Sequence, residues 1–218
     1  MIKRVHTFWE TQKTWILIAI LVIFHVVGLV GLLSDAYRDA FLKLSFMNLA
    51  LSFVVLLLAR KRNFKPFYWF LIICFFTGMF AEMIGIHTGI LFGEYYYGEN
   101  LGVKLNGVPI IIGINWGILS VGACSVVSRF INVNIVLSVF LSALIMTLLD
   151  VLIEPVAIRS DYWHWKTPSI PLKNYLSWFF ISVPLHYLYF KWKLDEQNNV
   201  SIALFFILVA FFIILNLI

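Results

Sequence analysis

Apolar residues in this chain come in long, nearly unbroken runs. Seven of them approach the roughly 20 residues needed to cross a hydrocarbon core of about 30 Å. They cover residues 15–33, 40–59, 67–87, 108–128, 135–154, 174–190 and 200–218. The pattern predicts an all-α, polytopic membrane bundle of about seven transmembrane helices without sheet. It forms a single transmembrane domain over residues 1–218. The first run is too long for the core of a signal peptide and no A-x-A site follows it, so it reads as a helix. Pro66 opens the third run, and Pro184 is expected to kink the sixth.

Polar stretches separate the runs. Most are short, including the basic turn Arg60-Lys61-Arg62-Asn63-Phe64-Lys65 and the polar stretch 191–199. Two are long, at 88–107 and 155–173. With the N-terminus inside, the inner segments hold ten Lys and Arg and the outer segments six. Positive charge collects on the cytoplasmic side, so this reads as a multi-pass protein of the inner, cytoplasmic membrane with a cytoplasmic N-terminus. Both long connections then lie on the outer side.

Composition narrows the class. At 62% apolar and 12% charged residues, an ordinary soluble domain is excluded. A net charge of +5 is low for a nucleic-acid partner, and topology accounts for it. Cys74 and Cys124 both fall in apolar runs without C-x-x-C spacing, so they read as small fillers. Five dispersed histidines without H-x-x-x-H or E-x-x-H spacing predict no metal site. No internal repeat points to a transporter built from two halves.

The candidate chemistry lies in three acids. Glu82, Asp150 and Glu154 fall near the outer ends of the third and fifth runs, at similar depth. Asp150 and Glu154 are four apart and share one helix face. Helix-end carboxylates in headgroup water are an ordinary finding, and that reading fits Glu154, which precedes Pro155. It fits Asp150 less well and Glu82 least, because apolar residues flank both. An ionisable group inside a membrane is costly and marks a functional site. A protonated carboxylic acid beside an ionised one supplies a general acid and a general base.

Around the acids lie Tyr95-Tyr96-Tyr97, Tyr162-Trp163-His164-Trp165 and Trp178. Aromatic belts gather at membrane interfaces in any case. In a functional reading these rings line a pocket for a flat apolar ligand and steady a cation with their faces. Asn115, in the fourth run beside Trp116, needs a hydrogen-bond partner, which one of the acids can supply. His87 is five residues after Glu82 and does not share its face.

Three motif blocks carry a family resemblance. The first is E-x-x-G-x-x-T-G-x-x-F-G-x-Y-x-Y-x-x-x-L-G-x-x-x-x-G-V-P over residues 82–109. The second is D-x-x-x-E-P-x-A followed by W-x-W, at Asp150, Glu154, Pro155, Ala157, Trp163 and Trp165. The third is P-L-x-N-Y-x-x-W, at Pro171, Leu172, Asn174, Tyr175 and Trp178. Together they resemble the membrane-bound carotenoid biosynthesis proteins, the carotenoid 1,2-hydratases of the bisanhydrobacterioruberin hydratase and γ-carotene 1'-hydratase type. The match spans roughly residues 78–178. It departs in a short stretch between Trp165 and Pro171 and in Ser177, where a glycine is expected; both bear on the entrance.

The resemblance implies hydration of the terminal C1=C2 bond of an acyclic (ψ) end group, giving a tertiary alcohol. It needs no cofactor, only water and a lipophilic carotenoid that reaches the site from the bilayer: lycopene, γ-carotene or a C50 carotenoid. Asp150 is assigned as proton donor, Glu82 as the base that holds water with Asn115 orienting it, and Glu154 as a proton relay. Trp116, Tyr95, Tyr97, Trp163, Trp165, Asn174, Trp178 and His87 are the further candidate substrate contacts. Two other readings use the same acids. A carotene cyclase or isomerase shares the protonation but excludes water, and a carotenoid-binding protein or proton-linked carrier performs no reaction.

Overall fold

The computed structural model describes residues 2–60, 65–195 and 199–218, with side chains from Thr11 onward. Residues 61–64 of the basic turn and 196–198 of the last polar stretch lie outside the described residues. The helices are α1 (Ile2–Leu33), α2 (Arg38–Lys43), α3 (Ser45–Leu58), α4 (Lys65–Thr88), α5 (Ile110–Phe130), α6 (Ile135–Arg159), α7 (Leu172–Lys191) and α8 (Asn199–Leu217). Five of them are long and apolar enough to cross a membrane: Thr11–Leu33 of α1, and all of α4, α5, α6 and α8. α3 has only 14 residues. α7 has 20 but carries Asn174, Ser177, Ser182 and His186, which lower its hydropathy.

The second apolar run is not one helix. Its charged start (Arg38, Asp39, Lys43) forms the six-residue α2, and the chain turns at Leu44 before α3 begins. Ser45 fixes the turn, donating its hydroxyl to the Phe41 carbonyl at 3.2 Å and meeting the Tyr162 hydroxyl at 2.5 Å. α6 in turn runs past Pro155 to Arg159, beyond the predicted end at Glu154. Asn134 caps its start by accepting the Leu137 N–H at 2.9 Å.

α5 is the central post. It packs against α3, α4, α6, α7 and α8. Its apolar window is 83% buried, against 28–44% for the other long helices. Gly113, Gly117, Ser120, Gly122, Ala123 and Ser125 keep its surface small, so neighbouring helices approach closely. Cys74 and Cys124 are free and buried.

The expectation of no sheet is corrected by two short antiparallel ribbons. β1 (Tyr95–Tyr97) pairs with β4 (Trp163–Trp165), Tyr95 opposite Trp165 and Tyr97 opposite Trp163. This ribbon joins the two long connections. β2 (Lys104–Leu105) pairs with β3 (Val108–Pro109) across Asn106-Gly107, whose φ angles of 49° and 84° are those of a type I′ hairpin. Backbone groups outside the helices need partners, and pairing satisfies them.

The two ends of the bundle are distinct. At the ribbon end the Arg38 guanidinium donates to the Arg159 carbonyl, and Arg159 to the Leu215 carbonyl, each at 2.8 Å. At the opposite end Ser128 bonds Asp195, and Arg60 donates to the Leu194 carbonyl at 3.1 Å.

Candidate functional site

The three acids converge beneath the β1–β4 ribbon. Glu82 comes from α4, and Asp150 and Glu154 come from α6; all are almost completely buried. They line one small chamber with Asn115, Asn174, Tyr95, Tyr97, Trp163, Trp165 and Trp178. Its volume is about 20 Å³, room for about one water.

Each acid has a different donor set. Glu82 Oε2 accepts the Tyr95 hydroxyl at 2.5 Å and the Tyr97 hydroxyl at 2.8 Å, while Oε1 accepts the Trp116 indole N–H at 3.2 Å. Glu154 Oε2 accepts the indole N–H of Trp163 at 3.0 Å and of Trp165 at 2.9 Å, and Oε1 accepts the Asn174 amide at 2.9 Å. Three donors suit an ionised carboxylate. Among the described residues, Asp150 Oδ2 accepts only the Asn174 amide, at 3.1 Å, and Oδ1 is buried without a partner. A carboxyl oxygen with no donor aimed at it can carry a proton.

The local sequence makes this possible. Alternation in β1 turns Tyr95 and Tyr97 inward and leaves Tyr96 exposed against His164, ring centroids 5.3 Å apart. Burial, followed by the charge of Glu82, holds both inward phenols well above their usual titration range, so they stay protonated donors. Glycines clear α4 on either side of Glu82. A side chain at Gly78 would strike the Trp116 ring, and one at Gly85 would strike Phe92 and come within 2.8 Å of the Tyr95 hydroxyl. Trp116 is braced from behind by Trp178, stacked at 4.2 Å with planes 8° apart.

Most of the predicted residues are brought together here. Trp116 borders the chamber through its bond to Glu82. His87 is not brought in; it is exposed near the end of α4. Asn115 lines the chamber, but the amide that binds the acids is that of Asn174. Tyr95, Tyr97, Trp163 and Trp165, read above as pocket-lining rings, and Trp116 with them, aim O–H or N–H edges at carboxylates. Ser177 bonds the Leu91 carbonyl and so ties the start of α7 to the first long connection. Sequence reasoning held Gly85 only as part of the first motif and missed Gly78, although a glycine at i−4 and at i+3 of a buried acid was a usable signal. Among the described residues, no group of three His, Cys, Asp or Glu side chains is placed to share a metal ion.

A second, larger cavity of about 460 Å³ adjoins the chamber, between α1, α3, α5 and α8. Ile112, Asn115, Ile153 and Trp163 line both spaces and stand between them.

The model of a family described as carotenoid biosynthesis protein matches residues 40–218. No curated protein and no solved structure matches the chain.

Proposed function

The chain belongs to the carotenoid biosynthesis protein family, and on that premise we propose that it is a hydratase of acyclic carotenoid end groups. The observation that carries the reading is a chamber for about one water, walled by three buried carboxyl groups and sharing part of its lining with a larger, mostly apolar cavity. Hydration of an isolated trisubstituted alkene needs an acid, a base and one water, and little else.

The steps follow from the donor sets. Asp150 gives its proton to C2 of the terminal double bond, and the π electrons form the new C–H bond. C1 becomes a tertiary cation. The chamber water attacks C1, and its surplus proton passes to Glu82. The net change is addition of one water across C1=C2. Return of the proton from Glu82 to Asp150, through the next water and Glu154, resets the site. Tyr95, Tyr97 and Trp116 hold the Glu82 carboxylate in place during the transfer, and Asn174 fixes Asp150 against Glu154. In this reading the protein is multi-pass in the cytoplasmic membrane, its N-terminus inside and its ribbon end outside.

Expression in a lycopene-making bacterium tests the reading. Pigments heavier by one water, at one end or both, are the expected result. Cyclic or isomerised pigments of unchanged mass, or unchanged lycopene beside folded protein, would overturn it.

A further inference from the structure

We propose that the carotenoid reaches the chamber sideways from the bilayer, through a portal between α1 and the α2–α3 break, and that its acyclic end lies in the 460 Å³ cavity. The inference rests on the proposed hydration and adds the binding site and the route to it.

Four observations support it. The first is chemical. No lysine, arginine or carboxylate lines the cavity. Of the polar groups that line it, Ser45 and Tyr162 bond each other at 2.5 Å and His25 Nδ1 bonds the Leu21 carbonyl at 2.8 Å, while Asn48 Oδ1 has no partner among the described residues. Such a wall takes a hydrocarbon and rejects a phosphate or carboxylate headgroup. The second is size, which falls within the range of about 300–1,000 Å³ typical of small-molecule sites.

The third is the opening. Phe24 and Val27 on α1, Leu44 at the break and Met47 on α3 all line the cavity, and each is about half exposed. At 1.5 Å per residue the 14 residues of α3 reach only about 21 Å, less than the roughly 30 Å of a hydrocarbon core. The wall that α3 makes beside the cavity is therefore short on the α2 side. The fourth is continuity. Asn115 and Trp163 belong to both spaces, so a chain end pushed through the cavity meets the acids where the two spaces adjoin. Trp163 there already holds Glu154.

Gly28 offers a test remote from the acids. It lines the cavity, and a Cβ added there would lie 4.0 Å from Asn48 Nδ2 and from Phe211 Cε2, so the backbone tolerates a side chain. Asp150→Asn and the double variant Asp150→Asn/Gly28→Phe are purified from lycopene-making cells. Bound lycopene per protein is read from visible absorbance. The phenylalanine should lower retention by about tenfold or more, the effect of filling space a ligand must occupy. Normal retention in the folded double variant would overturn the proposal.

A second measurement covers the case in which Gly28→Phe does not fold. A photoreactive benzophenone side chain is placed at Met47, at the portal, or at Val136 on α6, which is 60% exposed but far along the chain from it. Lycopene adducts at 47 and not at 136 are expected. Adducts at both sites or neither, or phospholipid adducts alone at 47, would overturn the proposal. Retention and cross-linking read binding, whereas the pigment masses made by the unaltered protein read hydration, so the two readings can fail separately.

Discussion

Asp150 and His186 sit on the two helices that pack most extensively against each other, α6 and α7, and both are essentially inaccessible. Each also has one buried polar atom without a partner: Asp150 Oδ1 and His186 Nε2. Their surroundings differ. Asp150 faces a chamber and two neighbouring carboxyl groups. His186 Nδ1 lies 2.9 Å from Ser142 Oγ, and that hydroxyl is itself donated to the Ser138 and Val139 carbonyls. The histidine therefore donates from Nδ1 and turns an idle lone pair into solid packing; neither cavity touches it. Burial of an ionisable group is common to both places. Of the two groups, Asp150 is the one that borders a cavity.

The largest effect that can break this contrast is at Asp150. Asp150→Asn keeps the shape and removes the proton, so hydration should fall by at least about a hundredfold. Near-normal hydration by folded protein would pass the donor role to Glu82. Glu82→Gln should abolish hydration to a similar extent, yet still exchange deuterium from heavy water into the methylene beside the reacting carbon, because protonation at C2 remains reversible. Mass spectrometry of recovered pigment reads this directly, and loss of exchange as well would place Glu82 in the protonation step. Glu154→Gln should be the mildest of the three, with a loss nearer tenfold than a hundredfold.

His186→Leu sharpens the comparison from the other side. It removes an unsatisfied nitrogen and leaves Ser142 bonded to backbone, so thermal stability in detergent should move by no more than about 1–2 kcal/mol. Hydration per folded molecule should stay within about threefold, a small change on the scale of a lost acid–base group. A hundredfold loss would show that the packed region takes part in the chemistry.

The smallest effect lies at the ribbon's edge. Asp161 Oδ1 meets His164 Nε2 at 2.8 Å, and Oδ2 accepts the Glu99 N–H at 3.1 Å. The His164 hydrogen bond, chiefly, holds this carboxyl below its usual range. A depressed folded-state value stabilises at every pH above the unfolded value of about 3.9. That contribution is lost as pH falls through the lowered value. Proteolysis near Gly98 should therefore rise only in strong acid, and Asp161→Asn should remove this pH dependence. Dependence centred near neutrality would assign it to another group.

The helices and the acids were legible because each rests on a local cost: long apolar runs demand lipid, and carboxyl groups within them demand a reason. The break at Leu44 was not, since neither glycine nor proline marks it, and the Ser45–Tyr162 contact that fixes it spans 117 residues. The β1–β4 ribbon was hidden for the same reason, with Tyr95 and Trp165 far apart in the chain. Its signature was nonetheless present in Tyr-x-Tyr and Trp-x-Trp, because alternation turns every second residue to one face. Asn106-Gly107 likewise announces a hairpin. The aromatic residues were located but their hydrogen bonds to the acids were not foreseen, since a sequence does not tell which edge of a ring will face a charge.

The order of the donors along the chain bears on how the protein is made. Tyr95, Tyr97 and Trp116 all follow Glu82, while Trp163, Trp165 and Asn174 follow Asp150 and Glu154. Synthesis proceeds at about 5–20 residues per second. Each acid is thus translated on the order of seconds before the last of the groups that satisfy it. A chain cut short before Asn174 leaves Asp150 without that donor, in a solvent that supplies none. The carboxyl groups that would carry the reaction also mark an unfinished chain, and membrane quality control has a chemical reason to remove it until α7 arrives.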